Sequence, residues 1–202
     1  MIRRTFIQQT AQALIASGIR VKSTTKLGAI GIQAYTVRSL MQRDVAGTLA
    51  ALAAIGYREV ELAGFYDKTA GEMRKALDDA HLVAPSGHVA VLHSDWNKII
   101  DEAATIGQRY IVCPFTDQSD RTVDGYTRNA AKYNQFGALT KKSNIQFAYH
   151  NHDFEFDTID GIVPYDLMLK ECDPHLVQME IDIFWMVKGK RDPLKYFAAY
   201  PG

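Results

Sequence analysis

The sequence predicts an α/β fold of consecutive βα units, about six of the eight that close a (β/α)8 barrel. Two observations carry this. Short apolar segments begin near residues 29, 57, 84, 110, 145 and 177, and an amphipathic or capped stretch separates each from the next. Strands separated this regularly by helices argue for a parallel sheet. A third observation narrows the class: no Gly-x-Gly-x-x-Gly follows the first strand and no Gly-x-x-x-x-Gly-Lys occurs anywhere. A nucleotide-binding doubly wound sheet would lack its phosphate cradle.

The first strand is AIGIQAY (29–35). Asp44 is the N-cap of the helix that follows, with Val45, Leu49, Leu52 and Ile55 on one face and Gly56 as its C-terminal stop. The second strand is YREVELA (57–63). Thr69 and Glu72 then form a capping box ahead of Met73, Leu77 and Ala80. APSGHVA (84–90) is the third strand, and its helix carries Trp96, Ile99, Ile100, Ala103 and Ile106 up to Gly107. YIVCPF (110–115) precedes a helix over 122–142, and IQFAYHNH (145–152) is the fifth strand. A polar excursion, DFEFDTIDG, leads to a short helix opened by Pro164. The sixth strand is VQMEIDIFW (177–185), and Asp192-Pro193 opens a last helix. A barrel of eight such units typically needs about 250 residues, so the 202 residues are expected to be an incomplete barrel over 27–202.

Residues 1–26 are expected to stand outside that fold. Arg3 and Arg4, followed by Thr5, Phe6 and Ile7 and a weak apolar stretch, resemble a twin-arginine export signal, which places the protein in the periplasm; a cytoplasmic amphipathic helix is the alternative. With 23 basic and 23 acidic residues the formal net charge is zero, which removes the usual electrostatic case for binding nucleic acid. No apolar run approaches the roughly 18 residues of a membrane span. Cys113 and Cys172 form neither a disulfide framework nor a zinc-type spacing.

In such a barrel, working residues gather at the C-terminal ends of the strands. Here those ends read Glu59-Val60-Glu61, Gly87-His88, His150-Asn151-His152 and Glu180-Ile181-Asp182. Alternation along a strand puts His150 and His152 on one face, and Glu180 and Asp182 likewise. Carboxylates within apolar strands are costly unless paired or bound to a metal. Imidazole with carboxylate suits a divalent ion such as Mn, Zn, Co or Mg. An ion of that kind, with a neighbouring base, serves proton removal next to a carbonyl.

YHNHDFEF (149–156) and MEIDIFW (179–185), with GIQAYTVR (31–38), GYREVEL (56–62) and SGHV (86–89), resemble the sugar phosphate isomerase/epimerase family of xylose isomerase-like TIM barrels. The resemblance implies a metal held by residues of strands five to eight. It puts His150 at the strand-five position, where relatives commonly have Glu, and Asp182 at the strand-six position; two further ligands would lie beyond Gly202. It implies His152 and Glu180 as the proton-transferring pair, and Glu61, His88 and Trp185 as substrate contacts. Phe115 and Trp185 serve equally as sugar-stacking surfaces or as plain packing, and Glu155 as a buried anchor or an exposed hairpin residue. A related endonuclease places extra histidines where this sequence has Cys113-Pro114-Phe115 and Trp185, which argues against DNA repair. The implied activity is metal-dependent isomerisation or epimerisation of a sugar or keto-sugar. The alternatives are a keto-sugar or inosose dehydratase or lyase on the same site, and a non-catalytic sugar-binding barrel. The expected partner is a small-molecule sugar, with oligomeric state left open.

Overall fold

Six parallel strands form one sheet in sequential order, β1 (Gly31–Gln33), β2 (Glu59–Ala63), β3 (Ser86–His88), β4 (Tyr110–Cys113), β5 (Gln146–His150) and β6 (Val177–Glu180). The computed structural model describes residues 28–92 and 94–201; the export-signal expectation for 1–26 lies outside the described residues. Sequential parallel order requires each crossover to return on the same side, and helices make these returns: α1 (Arg38–Arg43), α2 (Val45–Ile55), α3 (Ala70–Asp79), α4 (Trp96–Ile106), α5 (Val123–Lys142) and α6 (Pro164–Glu171); α7 (Ile183–Lys188) and α8 (Pro193–Ala199) follow β6. The arrangement is that of a partial (β/α)8 barrel, with β1 and β6 as the sheet edges among the described residues.

The helix ends follow their local chemistry. Asp44 accepts from Gly47 N at the start of α2, and Gly56 closes that helix at φ 116°, a left-handed conformation that costs glycine little. Both halves of the Thr69–Glu72 capping box are formed. Asp95 caps α4, Thr122 caps α5, and Pro164 occupies the first turn of α6.

Two apolar clusters lie between helices and sheet. One joins Met41, Leu49, Leu52, Val60, Leu62, Met73 and Leu77; the other joins Ile99, Ile111, Tyr133, Phe136, Phe147, Met168 and Val177. Gly137 of α5 is pressed so closely on the Leu176 carbonyl that a Cβ would not fit, and this contact holds the entry to β6.

The sequence overestimates all six strands: β2, β3 and β4 are two to four residues shorter than expected, and the other three end early as well. The first spans 31–33 rather than 29–35, because Ala34–Val37 coil into a 3-10 turn that runs into α1. The fifth stops at His150. The sixth stops at Glu180, because the Asp182 side chain accepts from Trp185 N and starts a helix. Ile183, Phe184 and Trp185 suit a strand by composition, but that cap directs them into α7.

Candidate functional site

Gln33, His88, His150 and Glu180 are the last residues of β1, β3, β5 and β6, and Glu61 lies two residues before the end of β2. Parallel pairing sets Gln33 beside Glu61 and His150 beside Glu180. Their side chains meet at the C-terminal mouth of the sheet. His88 Nε2 lies 3.1 Å from Glu61 Oε1 and 3.0 Å from Glu180 Oε1. His150 Nδ1 lies 2.8 Å from the same Glu180 oxygen, and the two imidazoles meet edge to face at 4.8 Å. Ser86 Oγ donates to Glu61 at 2.7 Å, and Gln33 Nε2 donates to it at 3.1 Å. The His88 and His150 side chains are only 9% and 10% exposed, against 32% for Glu180 and 28% for Asp182, so the site opens to solvent at its carboxylates.

Asp182 has left the strand but not the site. Its Oδ1 accepts from Trp185 N at 3.0 Å, while its Oδ2 lies 3.8 Å from His150 Nε2. The fully buried Asn151 fixes it there: the Asn151 side chain accepts from Asp182 N at 2.9 Å and donates to Asp182 O at 3.1 Å.

His152 sits alongside, its ring 5.2 Å from His150 and 5.1 Å from Trp185. It stacks almost parallel on Phe154 at 5.4 Å, and the Arg121 guanidinium lies 3.4 Å over the Phe154 ring. His152 Nδ1 is buried with no hydrogen-bond partner among the described residues. Burial, and then the neighbouring His150, pull its pKa from 6.5 down to about 4, so the ring is neutral at physiological pH.

Glu155 is fully buried in a 3-10 turn. It accepts from Tyr149 Oη at 2.6 Å and from His152 N at 2.7 Å, and Tyr149 Oη also meets Thr116 Oγ1 at 2.8 Å. Burial pushes its carboxyl upward. Of the two roles left open for Glu155, the structure shows the anchor.

The structure therefore brings Glu61, His88, His150, His152, Glu180, Asp182 and Trp185 into one contiguous group. Phe115 is exposed beyond β4. Sequence reasoning passed over Gln33, Ser86 and Asn151. The strand-end rule that found His88 applies equally to Gln33, whereas Asn151 acts through backbone contacts to a residue 31 positions away, which no local pattern carries.

Burial alone would lower the His88 pKa, but the hydrogen bonds and charges of Glu180 and Glu61 outweigh it and raise it from 6.5 to about 9. Burial would raise Glu180, but its hydrogen bonds with His150 and His88 hold it well below the ordinary carboxylate range. A raised imidazole stabilises the fold fully below its unfolded pKa, and that contribution fades as pH rises through the folded value. A depressed carboxyl stabilises above its unfolded pKa and loses this on acidification. The pairing therefore contributes most between about pH 4.5 and 6.5 and fades towards pH 9. Thermal melts of chelator-treated protein should show this alkaline decline, and His88→Ala should flatten it; an unchanged slope would contradict the pairing.

No family model matches the chain, and no curated protein matches it. Solved structures do. A sugar phosphate isomerase/epimerase from Parabacteroides distasonis superimposes with a TM-score of 0.77 at 26% identity, over 90% of this chain and 77% of that one. A second from the same organism gives 0.74 at 28% identity, over 86% and 76%. The chain has the fold of the sugar phosphate isomerase/epimerase TIM barrels. A xylose isomerase-like TIM barrel protein from Mycobacterium smegmatis, in complex with magnesium, shares this TIM-barrel fold with a TM-score of 0.63 at 13% identity, over 84% and 70%. In this TIM barrel no helix among the described residues is long and apolar enough to cross a membrane.

Proposed function

We propose that the protein is a divalent-metal-dependent isomerase or epimerase acting on a sugar or keto-sugar by proton transfer next to a carbonyl. The observation that carries the reading is the convergence on His150 of two carboxylates, Asp182 3.8 Å from Nε2 and Glu180 2.8 Å from Nδ1, beside the neutral ring of His152. Imidazole nitrogen and carboxylate oxygen in a partly buried mouth fit an ion of the Mn, Zn, Co or Mg kind.

Two donor groupings share His150, one on each ring nitrogen. Glu180 Oε1 lies on the Nδ1 side, while Asp182 Oδ2 faces Nε2. Donors about 2.1 Å from a common ion stand about 3.0 Å apart at right angles and further apart at wider angles, so the 3.8 Å between Nε2 and Oδ2 suits a shared ion. Metal-binding histidines ordinarily donate their other N–H to a carboxylate, which fixes tautomer and ring orientation. His150 Nε2 and Asp182 Oδ2 are therefore the ligands in this reading, with Glu180 holding the His150 ring. The bound ion supplies Lewis-acid polarisation of a sugar carbonyl.

His152 takes the proton from the adjacent carbon, since its ring is neutral at physiological pH and keeps one bare nitrogen. His88, held as a cation between Glu61 and Glu180, donates to a substrate oxygen, and Trp185 forms an apolar wall beside His152 against which a sugar ring packs. The Arg3–Arg4 segment supports periplasmic export, where a free or oxidised sugar is the more accessible substrate. The test is incubation of the manganese-loaded protein with a panel of ketoses and aldoses in deuterated water, followed by proton NMR. Exchange at the carbon next to the carbonyl is expected, abolished by chelator and by His152→Ala. Absence of exchange across the panel would sink the reading.

A further inference from the structure

A second cavity opens off the same strand ends. It has a volume of about 560 Å³ and is lined by Tyr35, Arg38, Ser39, Gln42, Arg43 and Tyr66, with Ala63 at its floor. The chain as a whole is electrically balanced, yet this lining holds two arginines and no carboxylate. Its position follows from the topology. Ala63 pairs with His88 across β2 and β3, and Tyr35 and Arg38 follow Gln33, whose side-chain amide lies 3.2 Å from the His88 ring nitrogens. A molecule with one end at His88 therefore has this cavity within reach of its other end.

The cavity's groups are prepared for an acceptor that the protein does not supply. Arg38 is braced: its Nη1 donates to Tyr35 O at 2.9 Å, and the guanidinium lies 4.2 Å over the Tyr35 ring. That spends one of five donors and leaves the remaining fork free of acceptors among the described residues. Arg43 is likewise braced through Nε to Ser39 O at 3.1 Å. Tyr66 Oη is buried without a hydrogen-bond partner among the described residues, and Arg38 is the charge that acts on it. Tyr66 and Asp67 adopt left-handed backbone conformations, with φ 52° and 61°, and non-glycine residues held there commonly mark functional turns. The Asp67 carboxylate, next to Tyr66 in sequence, accepts from Gln42 Nε2 at 3.3 Å.

We propose that Arg38, Arg43 and Tyr66 form an oxyanion subsite that holds a carboxylate or phosphoryl group carried by the sugar, at the end remote from the reacting carbon. A guanidinium fork matches the planar, two-oxygen face of such a group, and an orphaned phenol supplies a further donor. The placement of the reacting carbon rests on the function proposed above; the oxyanion site itself does not. Its effect is selection: an anionic sugar is anchored and oriented, and a neutral sugar of the same ring size is not.

The test is calorimetric titration of the protein with inorganic phosphate, followed by a ketopentose phosphate, a keto-uronate and the uncharged ketopentose. Inorganic phosphate should bind the wild-type protein and lose about tenfold or more in affinity in Arg38→Ala, with a smaller loss in Tyr66→Phe, as expected for removing charge-assisted and neutral hydrogen bonds. One charged sugar should bind more tightly than the uncharged one in the wild type and no more tightly in Arg38→Ala. Whichever is favoured identifies the group as phosphoryl or carboxylate. Manganese binding should be the same in Arg38→Ala as in the wild type. Phosphate binding that is absent, or unaltered in Arg38→Ala with an unchanged melting temperature, would overturn the subsite. Loss of manganese binding by the wild type alone would overturn the metal reading and leave the subsite standing.

Discussion

Asp182→Ala is expected to abolish measurable manganese binding, and Glu180→Gln to weaken it about 10- to 100-fold. The difference in size follows from where each carboxylate stands. Asp182 Oδ2 faces His150 Nε2 across 3.8 Å, a gap too long for a hydrogen bond and suited to an ion between them. Glu180 lies on the opposite nitrogen, 2.8 Å from Nδ1, where it selects the tautomer that leaves Nε2 bare. Removing Asp182 deletes a donor, whereas Gln at 180 still presents an oxygen to Nδ1 but no charge. His88→Ala separates this arrangement from its competitor. If the ion sat among His88, His150 and Glu180, that change would remove a ligand; with the ion at His150 and Asp182 it leaves affinity nearly intact. Calorimetric titration of all three variants with manganese decides, and binding retained in Asp182→Ala but lost in His88→Ala would move the ion to the other side of the ring. Because Asp182 also caps α7, each variant needs its melting temperature beside its affinity.

The barrel-type fold is legible in the sequence because parallel strands buried on both faces leave apolar runs at nearly constant separation, and because Gly56, Gly107, Thr69 and Pro164 mark helix ends by conformational or capping requirements that are local. The strand-end rule then picks out Glu61, His88, His150 and Glu180 without knowledge of their contacts. It names Asp182 too, but not how that residue is held, and it does not reach residues that act only through distant contacts. Asp182 reads as a strand residue on the Glu180 face, since alternation is blind to a side chain that turns back to cap a helix. Asn151 and Glu155 take their importance from partners in three dimensions. Asn151 matters because it clamps the Asp182 backbone, and Glu155 because a 3-10 turn folds it under the strand that precedes it.

Glu155→Ala is expected to destabilise the protein by about 2–4 kcal/mol, against well under half of that for Glu155→Gln. Glu155 is wholly buried, and each of its oxygens accepts one bond, from Tyr149 Oη at 2.6 Å and from His152 N at 2.7 Å. Alanine leaves the His152 N–H buried and unbonded, at about 1–3 kcal/mol, and adds an unfilled cavity. Tyr149 suffers less, because Thr116 Oγ1 remains 2.8 Å away. Glutamine keeps an acceptor for His152 N and meets Tyr149 with an amide that donates to the phenol oxygen, while the phenol turns its proton to Thr116. Glutamine also removes a burden. Burial pushes the Glu155 carboxyl up, so ionising it in the folded protein costs stability as pH rises through that value, a cost the neutral amide avoids. For a chain of this size each kcal/mol moves the melting temperature by about 2–4 °C, so the alanine variant should melt visibly earlier and the glutamine variant close to wild type. The consequence reaches the site, since the turn held by Glu155 carries His152 and Phe154, and Phe154 is the ring on which His152 stacks. Equal melting of the alanine variant and the wild type would show that the turn is held by its aromatic contacts, with the carboxylate dispensable.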